Sequence, residues 1–420
     1  MARTTGNGGE DERVAGGGLL HRRAFLATGA LSMGALGTIA RGGTPPASMA
    51  APGGPLSGYG ARASASDTIQ RRLPARIDFP GTGSSRTPLD RLEGTITPNG
   101  LHFERHHNGI PDIDPLAHDV LVHGLVQRPL VFRYEDLLRY PMESRILFLE
   151  CSGNSGALNA VKPAQVDAGR LNGLLSCAEW TGVRLSTLLD EAGLLPEARW
   201  VQAEGADASG HVRSIPLDLC LDDALIALFQ NGEPIRPEQG FPMRLFLPGI
   251  EGNASVKWLR RLKLMAKPAY SREETSKYSD LLRDGRAELF SLRMGVKSVI
   301  LKPSLGLDLR GPGYQEISGL AWTGRGRIRS VEVSADGGKS WAEAALTEPV
   351  LSKALTRFRI PWQWDGGPAT LMSRATDETG ATQPLRADWL AKYAPGQGYH
   401  NNSIQSWHVD AAGRVSHIYA

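Results

Sequence analysis

Cysteine is scarce in this chain: Cys151, Cys177 and Cys220 are the only three in 420 residues. So small and odd a number excludes a disulfide framework and leaves at least one thiol for other work. Cys-x-x-Cys, His-Glu-x-x-His, Gly-x-x-x-x-Gly-Lys and Gly-x-Ser-x-Gly are all absent, which removes the common zinc, phosphate-loop and serine-nucleophile chemistries. Charge of one sign is also lacking. The 47 basic residues face 44 acidic ones, and the 7% of aromatic residues are not interleaved with basic patches, so no nucleic-acid partner is expected. Nor is there a long hydrophobic run. The best candidate, from Ala24 to about Ala40, is diluted by Gly29, Gly34 and Gly37 and falls short of a bilayer span. No internal repeat or coiled coil is visible.

The amino terminus carries His21-Arg22-Arg23-Ala24-Phe25-Leu26 ahead of that mildly apolar stretch, then a Pro/Gly/Ala/Ser-rich segment to about Ser66. This resembles a twin-arginine export signal. Such export carries proteins already folded, commonly around a cofactor inserted beforehand, so it implies a periplasmic protein with a buried cofactor. Residues 1–66 are therefore read as signal and flexible linker.

From Leu101 to about Leu289 short apolar strands alternate with helix-like segments, which predicts a mixed α+β core. Leu185, Leu188 and Leu189 are spaced for one helix face, and Gly193 supplies a stop. The charged stretch Ser271 to Arg286 reads as a long loop. From about Met294 the pattern changes to short alternating strands. Asp336-Gly337-Gly338 marks a hairpin, and the runs Phe358 to Trp362 and Thr370 to Ala375 extend an immunoglobulin-like β-sandwich. The expected domains are 88–290 and 294–420.

Three clusters could carry chemistry. The apolar run Arg145 to Glu150 reads as a buried strand that delivers Cys151 onto Ser152-Gly153-Asn154-Ser155. A lone cysteine is more often packed in a core, but a strand end before small turn residues holds a thiol rigidly and within reach. Upstream, Phe103-Glu104-Arg105-His106-His107-Asn108-Gly109 suits an anion or cofactor site, or else a solvated loop. Downstream, Gly240-Phe241-Pro242-Met243-Arg244 running to Pro248-Gly249-Ile250-Glu251-Gly252-Asn253-Ala254-Ser255-Val256-Lys257-Trp258 joins a Gly-rich turn to two cations, a cradle for phosphate.

These clusters, in this order, resemble the sulfite oxidase family of molybdenum enzymes from Leu101 to the carboxyl terminus. The resemblance implies a molybdopterin-binding domain followed by an immunoglobulin-like β-sandwich that makes a dimer contact. It implies that Cys151 ligates molybdenum, a metal well held by polarizable thiolates. It implies molybdopterin contacts at Phe103, Glu104, His106, His107, Asp207, Arg244, Ser255, Val256 and Lys257. Arg105 matches the arginine facing the metal's oxo group, and Tyr278 the tyrosine near the metal. His400 stands where the family carries a second pocket arginine, Arg170 where it carries a tryptophan, and Ser155 and Gly156 where sulfite-oxidising members continue with arginines.

Free sulfite, a small dianion, favours several fixed cations, so these departures point to a substrate that needs room instead. The pattern resembles the sulfane dehydrogenases of the Sox thiosulfate-oxidation system, the SoxC type, which oxidise sulfur bound to a carrier protein. No Cys-x-x-Cys-His motif is present, so no haem is expected in this chain and electrons would pass to a separate c-type cytochrome subunit. A homodimer of such heterodimers is the expected assembly. A sulfite dehydrogenase acting on free sulfite, and a non-catalytic exported β-sandwich binding protein, are the alternatives.

Overall fold

The computed structural model describes residues 13–21, 46–66, 68–74, 76–77 and 79–420. Arg22, Arg23 and the apolar stretch of the expected export signal lie outside them. Among the described residues no helix is long and apolar enough to cross a membrane.

The run read as a buried strand closes the strand Met142–Glu150, and it is apolar on both faces because both are covered. Leu147 and Leu149 pack with Phe103, Trp180 and Phe246 in one core, while Phe148 joins a different core built mainly by the second half of the chain. Its neighbour Leu175–Arg184 alternates in the same way: Cys177 and Leu175 face the second core, Ala178 and Trp180 the first. Leu225–Gln230 and Glu233–Pro234 continue this sheet, and Arg244–Phe246 also pairs with Leu225–Gln230.

The other sheet of the first half runs Val212–Pro216, Trp200–Gly205, Leu259–Met265, Asp119–Gly124 and Leu130–Arg133. Only its Leu259–Met265 and Asp119–Gly124 strands pair in parallel. The expected helix forms as Leu185–Ala192, burying Leu185, Leu188 and Leu189, and Gly193 ends it at φ 72°. Residues 271–286 are less of a loop than their charge predicts. Ser271 and Glu274 form a capping box around the short helix Arg272–Thr275, and Asp280–Leu281 pairs with Ala287–Glu288.

The second half is the expected sandwich of two antiparallel sheets. One is built on Lys297–Lys302, Gly313–Trp322 and Thr356–Trp364, the other on Ile328–Ser334, Ala369–Asp377, Ser406–Val409 and Val415–Ile418. Trp322, Trp362, Trp364 and Trp407 fill the core, each at most 2% exposed. At the predicted hairpin Gly337 and Gly338 take φ of 74° and 86°, and Asp336 accepts from the backbone of Ser340. Where a flexible leader is expected, residues 13–20 instead add strands to the open edge of Thr356–Trp364. Leu19 is fully buried there, and Trp362 Nε1 donates to the Gly17 carbonyl at 2.6 Å.

Candidate active site

The end of the Met142–Glu150 strand opens into a cleft of about 680 Å³ shared by all three sequence clusters. Cys151, Arg105, Tyr278, Phe103, His106, His107, Asp207, Arg244, Ser255, Val256 and Lys257 all line it. Two expected site residues do not. Glu104 stands one layer back, where its Oε2 accepts from His106 Nε2 at 3.0 Å and its Oε1 pairs with Arg71. His400 lies off the cleft: its Nε2 accepts from the backbone of Gly295 at 2.8 Å, and its carbonyl accepts from Trp389 Nε1 at 3.1 Å. A proton on Nδ1 follows from that geometry, and burial pulls the His400 pKa to about 4, so it supplies no cation in place of an arginine.

Cys151 is held by its own backbone, whose N–H donates to the Leu174 carbonyl at 2.9 Å. Burial pushes its thiol up, while the Gly153 N–H and then Arg105 pull it back. A thiol raised in this way stays protonated at neutral pH unless a metal ion binds it. Gly252 of the third cluster packs directly on this turn, where any Cβ would lie 2.8 Å from the Glu150 carbonyl oxygen.

On one side of Cys151 stands a group of rings. His107 Nε2 lies 3.2 Å from the Tyr278 hydroxyl, and His107 stacks on His211 with centroids 5.7 Å apart. Burial, and then the Arg105 guanidinium, pull the His107 pKa to about 4, so at neutral pH the ring is uncharged and its tautomer sets which partner of the pair donates. Burial also raises the pKa of Tyr278. Arg213 sits 5.2 Å over the Tyr278 ring; it is buried, pairs with the buried Glu274 at 3.3 Å and reaches Asn253 Oδ1. Asn253 Nδ2 in turn donates to Ser152 Oγ at 2.9 Å, next to the cysteine.

On the other side the cradle is cationic. Lys257 Nζ donates to His106 Nδ1 at 2.9 Å and to the carbonyls of Arg105 and Glu238 at 3.2 and 3.1 Å, and lies 4.3 Å over the Trp258 ring. Burial first, and Arg244 second, hold its pKa well below the ordinary lysine value. Arg244 donates to the carbonyls of Gln239 and Ser255 at 3.0 and 2.7 Å, but its Nε is buried with no partner. Two cationic side chains lining one cleft, one of them with a buried donor left unpartnered, fit an anionic ligand. Among the described residues no three His, Cys, Asp or Glu side chains gather to hold a metal, so an ion at Cys151 takes its other ligands from a cofactor, which the pterin dithiolene would supply. The residues present fit such a group.

His211, Arg213 and Gln239 are not marked by the sequence, whereas Asn253 and Trp258 belong to the third cluster without an assigned role. Gln239 adjoins the marked residue Gly240, and that adjacency is the one signal it carries; Arg213 owes its place to Glu274, sixty-one positions away in the chain.

Residues 107–273 match the family model of the oxidoreductase molybdopterin binding domain, and residues 289–407 that of the Mo-co oxidoreductase dimerisation domain. Mitochondrial sulfite oxidase of Mus musculus is 33% identical over 364 residues, covering 80% of this chain and 66% of the mouse protein. Nitrate reductase [NAD(P)H] of Hordeum vulgare is 29% identical over 370 residues, covering 77% of this chain and 41% of the barley protein. The crystal structure of the sulfane dehydrogenase SoxCD from Paracoccus pantotrophus aligns with a TM-score of 0.86 at 44% identity, over 90% of this chain and 97% of that one. These matches leave no place for a non-catalytic binding protein: the chain belongs to the sulfite oxidase family of molybdopterin oxidoreductases.

Proposed function

We propose that this enzyme oxidises sulfur held on a carrier protein, taking oxygen from water and passing electrons to a c-type cytochrome subunit in the periplasm. The observation that carries the reading is the meeting of Cys151, Arg105 and Tyr278 in one cleft, in a chain similar to a sulfane dehydrogenase over nearly its whole length. The small residues Ser155 and Gly156 after the cysteine, and a His400 turned away from the cleft, leave fewer cations for a free dianion. The Arg22-Arg23 motif supports export, the second family model supports a dimer contact, and the likeness to SoxCD supports a second, cytochrome subunit, together a homodimer of heterodimers.

Cys151 would hold the molybdenum. Phe103, His106, His107, Asp207, Ser255 and Val256 would wall the molybdopterin, with Arg244 and Lys257 taking its phosphate. When bound, that cofactor supplies the two-electron oxidation. Arg105 presents a fixed positive charge beside the reacting sulfur, where charge builds during oxygen addition. Each oxygen taken from water releases two electrons and two protons. The Tyr278–His107 hydrogen bond places a phenol beside the site, where it can hydrogen-bond the oxygen being transferred, and Arg213 over the phenol ring holds it in line.

Metal and pterin analysis comes first, followed by a comparison of free sulfite with carrier-bound sulfur as substrate. Stoichiometric molybdenum and pterin in wild type, with turnover abolished and the Mo(V) resonance altered in Cys151→Ser, supports the site; wild-type turnover and resonance in that variant refutes it. Rapid turnover of free sulfite, with no gain from a loaded carrier, would favour the second reading, a sulfite dehydrogenase, which the likeness to the mouse sulfite oxidase supports.

A further inference from the structure

Behind the Cys151 turn lies a polar cluster shared by the two halves of the chain: Glu150, Asn154, Ser155 and Asn172 from the first, Lys297, Trp322 and Gln405 from the second. Lys297, the first residue of the strand Lys297–Lys302, and Glu150, the last of Met142–Glu150, both have fully buried side chains. Lys297 Nζ lies 3.3 Å from Glu150 Oε1 and donates to Ser155 Oγ at 2.7 Å. Trp322 Nε1 donates to Glu150 Oε2 at 2.6 Å, and Asn154 Nδ2 to Glu150 Oε1 at 2.9 Å. Ser155 Oγ passes its own proton to Asn172 Oδ1 at 2.7 Å, and Asn172 exchanges amide hydrogen bonds with Gln405 at 2.7 and 3.0 Å. The residue before Cys151 and the residue that closes its turn are thus both gripped from the sandwich.

Stability does not account for this arrangement. A buried ion pair is expensive to desolvate, and apolar residues of similar volume commonly serve as well or better. Ser155 also sits at φ 60°, in the left-handed region that a non-glycine residue keeps only where its surroundings fix it. The one reactive group inside the gripped segment is the Cys151 sulfur. We propose that Lys297 is a positioning residue of the metal site: from the second domain it fixes Glu150 and Ser155, and so sets the direction in which Cys151 presents its sulfur to molybdenum. This rests on the reading that Cys151 holds the metal.

The test uses the full-length, molybdenum-loaded enzyme with Lys297→Met, Lys297→Arg and the double variant K297M/E150Q. Lys297→Met alone leaves the Glu150 carboxylate buried without its cation, so failure to fold is expected there. The double variant removes both charges and is the decisive comparison. It is expected to match wild type in circular dichroism, to show a shifted or broadened Mo(V) resonance after partial reduction with dithionite, and to lose molybdenum ~10-fold faster on gel filtration. Lys297→Arg restores part of both signals. A double variant with the wild-type resonance and metal retention overturns the inference while leaving the Cys151 reading intact, and so does one that fails to fold, since the pair would then be structural only. Wild-type protein that takes up no molybdenum, or Cys151→Ser with wild-type turnover and Mo(V) resonance, overturns the Cys151 reading and this inference together.

Discussion

Replacing Gly252 by alanine separates catalysis from folding more sharply than any change at a charged residue. The added Cβ would stand 2.8 Å from the Glu150 carbonyl oxygen, 3.2 Å from its carbon and 3.4 Å from the Cys151 nitrogen. Every one of those atoms is backbone, so no side chain can swing aside. Ordinary contact begins at 3.4 Å, and the two segments must therefore part by about 0.6 Å. Overpacking of this kind costs roughly 1–3 kcal/mol, which an enzyme of this size survives. The displacement falls on the peptide that carries Cys151, however, and a misplacement approaching 1 Å at a reacting centre is worth up to ~100-fold in rate. Gly252→Ala should therefore fold, melt slightly lower and lose kcat on the order of tenfold with little change in KM. Steady-state kinetics on protein matched for molybdenum content is the assay. Gly156→Ala provides the contrast, since nothing lies within 4 Å of its added Cβ and its φ is not positive; its melting temperature and molybdenum content should stay at wild type. A Gly252→Ala enzyme with wild-type kcat and melting temperature would refute the claim that this contact sets the cysteine.

Buried neutral histidine should make the fold acid-sensitive. His102 is fully buried against Trp180, and burial above all pulls its pKa to about 3, whereas the unfolded chain takes up a proton near 6.5. Its stabilisation is complete above pH 6.5 and is lost as pH falls toward 3, with about 3 kcal/mol gone by pH 4. Urea midpoints measured from pH 7.5 to 4.5 check this; a slope unchanged in His102→Asn would contradict it. Phe148→Ala should cost about 3–5 kcal/mol by denaturant titration, because the ring is only 1% exposed in the second core. Arg213→Met leaves Glu274 buried without its cation and should cost about 3–5 kcal/mol, whereas the double change Arg213→Met with Glu274→Gln recovers much of the loss. A single variant as stable as wild type would show that the pair is not needed.

What can be read from the sequence is local. The Leu185–Ala192 helix declares itself through the spacing of Leu185, Leu188 and Leu189, and the strand ending at Cys151 through an apolar run that stops at small turn residues. The hairpin at Asp336 follows from turn chemistry. Partnerships across the fold are not legible. Nothing near Glu274 marks it as the partner of Arg213, and its place in a charged stretch argues for solvent. Lys297 opens an apolar strand and looks like an edge charge, yet it ends fully buried on Glu150. Glu104 and His400 are expected in the cleft by resemblance alone, and a side chain's direction depends on neighbours that a motif does not contain: Arg71 for the one, Gly295 for the other.

The two strands Met142–Glu150 and Leu175–Arg184 belong to two cores at once, and that bears on the order in which the protein can be made. Phe148, Leu175 and Cys177 wait for Trp322 and Trp407 to cover them, and Asn172 waits for Gln405. A nascent chain that has cleared the ribosome only to about residue 290 therefore holds every residue lining the cleft, but with one face of its central sheet still wet. The wall behind Cys151 is completed by residues of the second domain. The boundary between the two domains divides the sequence but not the seat behind the cysteine, which is rigid only once the sandwich is in place.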